Sequence, residues 1–111
     1  MREPAVAFGD EHVKKAYESL KEGTFQDKEL YNAISKAIDD LKNDPFCGIN
    51  LSKKLIPKVY IQKYAADNLW KYNLPKAWRL LYTVKGGELI ILSVLLEWMS
   101  HKDYERRFGY G

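Results

Sequence analysis

Cysteine is almost absent from this 111-residue sequence: Cys47 stands alone, so no internal disulfide can staple the chain and burial has to hold it together. Histidine is nearly as scarce. His12 and His101 lie far apart and make no recognisable zinc spacing, so neither a metal nor a small-molecule cofactor is expected. Long apolar runs are missing as well. The longest, Leu89–Met99, is too short to span a bilayer, and Met1-Arg2-Glu3-Pro4 lacks the apolar stretch of a secretory leader. The expectation is a cytoplasmic protein with no membrane contact. No repeat or low-complexity tract is present, and 46% of the residues are apolar, which argues against disorder and solenoids. A single domain over residues 1–111 is long enough to bury a core of its own.

What the sequence has is an uneven distribution of charge. Residues 1–51 carry seven Lys/Arg against ten Asp/Glu, a balance of −3, and residues 52–111 carry eleven against five, a balance of +6. A basic half on a near-neutral chain is the electrostatic pattern that suits a polyanion such as RNA. A solvated basic surface is the plain alternative.

Apolar periodicity divides the chain into helices first and strands later. Ala5 to Phe8 reads as a brief edge strand. Asp10 can cap a helix with Val13, Ala16, Tyr17 and Leu20 on one face, stopped near Gly23; that face is either core or a docking surface. A second helix is expected from about Asp27 to Asn43, with Leu30, Ile34, Ala37, Ile38 and Leu41 at helical spacing and Thr24/Asp27 as a capping box. Pro45 and Gly48 end it. Asn50 to Lys63 has no clean period and reads as a loop. Three strands follow, at Asn68–Leu74, Ala77–Val84 and Glu88–Trp98, the last two joined by a Lys85-Gly86-Gly87 turn. The last strand is apolar at nearly every position, as a central strand covered on both faces would be. Alternation along the middle one sends Trp78, Leu80, Tyr82 and Val84 one way and Ala77, Arg79, Leu81 and Thr83 the other. With helices over the tryptophan face, Arg79 stands on an open face, either solvated above its own stem or meeting a ligand.

The run "LKNDPFCGINLSKKL", then "LWKYNL", "AWRLLYTV", a glycine turn, an apolar strand and "HKDY" resembles the RelE/ParE superfamily of toxins from toxin–antitoxin modules. The resemblance covers roughly residues 30–110. It implies an α+β fold: a small antiparallel β-sheet with two N-terminal helices packed on one face, a short C-terminal helix, and a basic concave face opposite. It also implies a cognate antitoxin as partner. RelE-type members act as ribosome-dependent mRNA endonucleases, or mRNA interferases, so mRNA and the ribosome become expected partners. ParE-type members poison DNA gyrase instead, and an inactive RNA- or protein-binding module of the same fold is a further alternative.

Cleaving RNA without a metal requires a group to take the 2′-hydroxyl proton, a group to protonate the leaving oxygen and cations for the charge gathering on phosphorus. An aromatic ring that stacks a base helps to align the backbone. The tail "HKDYERRFGYG" holds candidates for each. If it is helical from Ser100, His101, Tyr104 and Glu105 share a face continued by Phe108, with Lys102 and Arg106 on the adjacent stripe. "HKDY" is most similar to the HigB side of the superfamily, in which a histidine and a tyrosine near the C-terminus belong to the site. The resemblance carries Arg79 over as the ligand of the scissile phosphate. The expected catalytic residues are thus Arg79, His101, Tyr104 and Arg106, with Lys53, Lys54, Lys71, Lys102, Arg107 and Tyr110 contacting RNA.

Overall fold

The computed structural model of the chain describes residues 2–109. Strand β1 (Glu3–Phe8) leads into helices α1 (Glu11–Leu20) and α2 (Phe25–Asn43). A two-residue strand β2 (Ile49–Asn50), a 3-10 turn (Lys53–Leu55) and helix α3 (Lys58–Tyr64) follow, then β3 (Trp70–Leu74), β4 (Trp78–Gly86), β5 (Ile90–Ser100) and helix α4 (His101–Phe108). The strands form one sheet in the order β1-β5-β4-β3-β2. The fold is α+β, as expected, but the sheet is mixed: β1 runs parallel to β5, and the other pairs are antiparallel. A parallel neighbour needs a long crossover, and α1 with α2 begins the excursion that separates β1 from β5.

Both helix starts follow from side-chain capping. Asp10 Oδ1 accepts from the Val13 amide at 2.9 Å, and this backbone bond is the main reason its carboxyl is held below the usual range. Thr24 and Asp27 exchange side-chain and backbone bonds in a full capping box. Asp44 ends α2 in an extended conformation, as the proline after it favours. Leu30, Ile34, Ala37 and Leu41 are buried along α2 and pack on Leu74, Leu80, Tyr82 and Leu95 from β3, β4 and β5. Trp78 and Val84 border the same cluster, so the helices lie over the tryptophan face of β4. Tyr17 and Leu20 of α1 join this core and Val13 is buried too, so the apolar face of α1 is packed rather than presented.

The Tyr82 hydroxyl reaches out of this layer. It donates to the Pro45 carbonyl and accepts from the Gly48 amide, which ties the end of α2 and the start of β2 to the middle of the sheet. A Cβ at position 48 would stand 2.5 Å from that hydroxyl oxygen, so glycine is needed for close approach.

The opposite face of the sheet is not open. Leu81, Leu96 and Met99 project from it and are sealed by Tyr60 of α3, Ala66, Leu69 and Tyr104 of α4. Three large apolar side chains on that face need a cover, and two short helices provide it. Helix α3 lies in the stretch expected to be a loop; Tyr60 is its one buried residue. The Lys85-Gly86-Gly87 turn shifts by two residues: Lys85 and Gly86 still pair with β5, and Gly87 bonds to Ile90 across the actual turn. Between Leu81 and Tyr82 the β4–β5 register slips. Leu96 is the extra residue on β5, so Leu96 and Glu97 both face the α3–α4 side.

Ile34 is fully buried at the centre of the first layer. Ile34→Ala is therefore expected to cost about 2–5 kcal/mol in urea unfolding. A loss below about 1 kcal/mol would mean that α2 is not the main cover of the sheet. Alkali should act through the phenols. Tyr72 donates to Asp40, and burial together with that carboxylate pushes its pKa up to about 12. The folded state thus favours the neutral phenol. This contribution is whole below about pH 10 and is lost as pH climbs from about 10 to about 12. The urea midpoint should fall across that window, and fall less in Tyr72→Phe.

Candidate functional site

The candidate site lies where β4, β3 and the start of α4 meet. Arg79 sits on β4 directly across from Asn73 of β3 and Met99 of β5, and Lys71 projects from β3 on the same face, opposite Leu81. Helix α4 begins with no loop. The Ser100 hydroxyl accepts from the Asp103 amide as its cap, while the His101 amide donates to the Ala77 carbonyl at 2.7 Å. That backbone bond pins the first helical residue against the start of β4, two residues from Arg79.

Arg79 Nη2 and His101 Nδ1 are consequently 3.0 Å apart. A guanidinium is always protonated and can only donate, so Nδ1 is the acceptor and the proton of the neutral imidazole resides on Nε2. Nε2 in turn lies 2.9 Å from Glu105 Oε1, one helical turn on. The result is a chain of donors and acceptors running from Arg79 through His101 to Glu105. The imidazole side chain remains 48% exposed, so solution and ligands can reach it. Arg79 Nη1 donates to the Trp78 carbonyl, and its Nε is buried without a partner among the described residues.

Tyr104 is brought to the same place, but from beneath. Only 2% of it is exposed. Its ring lies 6.5 Å from that of His101 and 4.4 Å from Phe108, and Lys71 Nζ stands 4.9 Å from its centroid. Tyr104 was expected among the catalytic residues, and its burial keeps its ring from stacking a base at the surface: the apolar face of α4 turns inward, and its tyrosine goes with it. It forms a floor against which Lys71 and His101 rest.

The other tail cations point elsewhere, because five or six residues along a helix turn a side chain well away from His101. Among the described residues Arg106 reaches Asp103 alone, at 3.4 Å. Arg107 donates to Glu97 Oε2 at 3.0 Å and to the Tyr60 hydroxyl at 3.1 Å, clamping α4 to β5 and α3. Burial pushes the Tyr60 phenol far up, with Glu97 adding to it. Burial works against the Arg107 charge, but Tyr60 and Glu97 outweigh it and raise its pKa. Both arginines line a cleft of about 390 Å³ beside Trp78 and Trp98, whose lining includes neither Arg79 nor His101. Neither Arg106 nor Arg107 therefore joins the pair they were expected to assist. Lys102 is exposed on α4, and Lys53 and Lys54 are exposed on the 3-10 turn; no contact links them to Arg79. Tyr110 lies outside the described residues. From the sequence, Glu105 is placed only on the helix face of His101. Its spacing of four residues from an imidazole is the signal that marks it as a partner.

No gathering of three or more His, Cys, Asp or Glu side chains able to hold a metal occurs among the described residues, and no described helix is long and apolar enough to cross a membrane. No family model, curated protein or solved structure matches the chain. What the protein does must be read from its own side chains.

If Tyr104 is the floor of the site, Tyr104→Ala should cost about 3–5 kcal/mol in urea unfolding, in the range of other large buried aromatics. Stability within about 1 kcal/mol of the parent would mean that Tyr104 is not the floor of the site.

Proposed function

We propose that the chain is a metal-independent endoribonuclease of the RelE/ParE type, the toxin of a toxin–antitoxin module, cutting mRNA on translating ribosomes. The observation that carries this reading is the 3.0 Å contact between Arg79 and the half-exposed His101, flanked by Lys71 on the same face. A phosphate binder and a proton acceptor side by side are what in-line attack by a 2′-hydroxyl needs.

In this mechanism the phosphodiester docks on Arg79, whose fork suits two phosphate oxygens, and Lys71 adds charge nearby. Turning Arg79 toward phosphate frees His101 Nδ1 to take the 2′-hydroxyl proton. The 2′-oxygen then bonds to phosphorus, the bond from phosphorus to the 5′-oxygen breaks, the 5′-oxygen takes a proton from water on the exposed side, and His101 afterwards returns its proton to solvent. A 2′,3′-cyclic phosphate and a 5′-hydroxyl result. The +6 balance of residues 52–111 draws the strand in and would also draw in an acidic antitoxin.

The test is an in vitro translation reaction with purified protein, followed by primer extension on the message. Codon-phased cuts are expected, reduced by about 10²-fold or more in both His101→Ala and Arg79→Ala. Growth arrest that persists in both variants without any cuts would replace the nuclease with a binding poison of the gyrase-inhibiting kind.

A further inference from the structure

Glu105 is bonded to His101 of the Arg79–His101 pair, where it would steady the imidazolium formed at Nδ1, and the resting arrangement gives it a second role. We infer that Glu105 is an internal substitute for a phosphate: it holds His101, and through His101 Arg79, in a chain that an incoming phosphodiester must take apart. It thereby sets how tightly the site holds RNA. This rests on the RNA-cleaving reading of the same site.

The geometry supplies the reasons. A carboxylate and a phosphodiester share a single negative charge and acceptor oxygens, and Glu105 Oε1 already occupies the outer nitrogen of His101 at 2.9 Å. His101 in turn occupies Arg79 Nη2 at 3.0 Å, while Nη1 is engaged by the Trp78 carbonyl. Docking a phosphate across both Nη atoms means displacing His101, and Glu105 anchors His101 where it is. Its charge also opposes that of an arriving phosphate. Both effects have the same sign, and neutralising Glu105 relieves both.

A purely structural role predicts the reverse. Glu105 would then serve as an i, i+4 partner stiffening α4, and its loss would loosen the helix and leave binding unchanged or weaker. Since the two side chains are 48% and 43% exposed, the hold is soft. Displacing it should therefore change affinity by only a few fold.

The experiment is a fluorescence-anisotropy titration of a labelled single-stranded oligoribonucleotide with the full chain at fixed salt. It compares the parent with Glu105→Gln, Arg79→Ala, and Glu18→Gln, an exposed change on α1 with the same effect on net charge. Glu105→Gln keeps an acceptor for Nε2 and should tighten binding about two- to fivefold. Glu18→Gln should not change it, and the melting temperature of Glu105→Gln should match the parent's. In the His101→Ala background Glu105→Gln should gain much less, since its hold on Arg79 runs through the imidazole. Affinity equal to the parent's or weaker in Glu105→Gln, with Arg79→Ala still impairing binding, overturns the inference and leaves the RNA reading standing. An equal gain in Glu18→Gln also overturns it, reducing the effect to net charge. Absence of Arg79-dependent binding in both the parent and Glu105→Gln overturns both readings.

Discussion

The structure depends on a strand that must be dry on both sides. β5 buries Leu95 against α2 on one face and Leu96 and Met99 against α3 and α4 on the other. One helical layer would leave the second set in water, at a cost of about 1.5–3 kcal/mol for each large side chain. The N-terminal half supplies the first cover through α2. The second is assembled from short pieces that would not persist alone: seven-residue α3 and eight-residue α4 are below the length at which isolated helices are stable. Tyr60, Tyr104 and the Arg107–Glu97 pairing hold them in place.

The cationic site is a by-product of that second cover. Helix α4 closes over Met99 with its Tyr104 and stops short of the β3 side, where Lys71, Asn73 and Arg79 remain. Because the helix starts at the last residue of the strand, His101 has little freedom in where it can be. The cap at Ser100 and the amide bond to Ala77 set its backbone, and Glu105 with Arg79 set its ring.

Much of this was legible in the chain. The capping residues Asp10 and Thr24, the helical spacing from Leu30 to Leu41, the alternation around Arg79 and the shared face of His101, Tyr104 and Glu105 all act locally, and each is found as expected. What was not legible depends on partners distant in sequence. Helix α3 has a single apolar anchor, Tyr60, so no period announces it. The parallel pairing of β1 depends on which edge of β5 lies free after the meander has formed. Arg107 reads as a loose cation until Glu97 and Tyr60 are brought to it from two other elements. The burial of Tyr104 could be anticipated only by knowing that the second face needed a roof.

The bulge at Leu96 sets which face of the sheet the end of β5 addresses. Strict alternation from Val94 onward would send Glu97 and Met99 toward α2 and Trp98 toward α3; the bulge exchanges those directions, so Met99 and the helix after it come to the same side as Arg79. Absorbing the surplus residue in a bulge, rather than passing it along the strand, thus decides on which side of the sheet the imidazole emerges. Removing Leu96 would restore plain alternation with Glu97 still opposite Leu81 and the imidazole still beside Arg79, whereas pulling the strand straight with Leu96 in place would put the two halves of the site on opposite faces of the sheet.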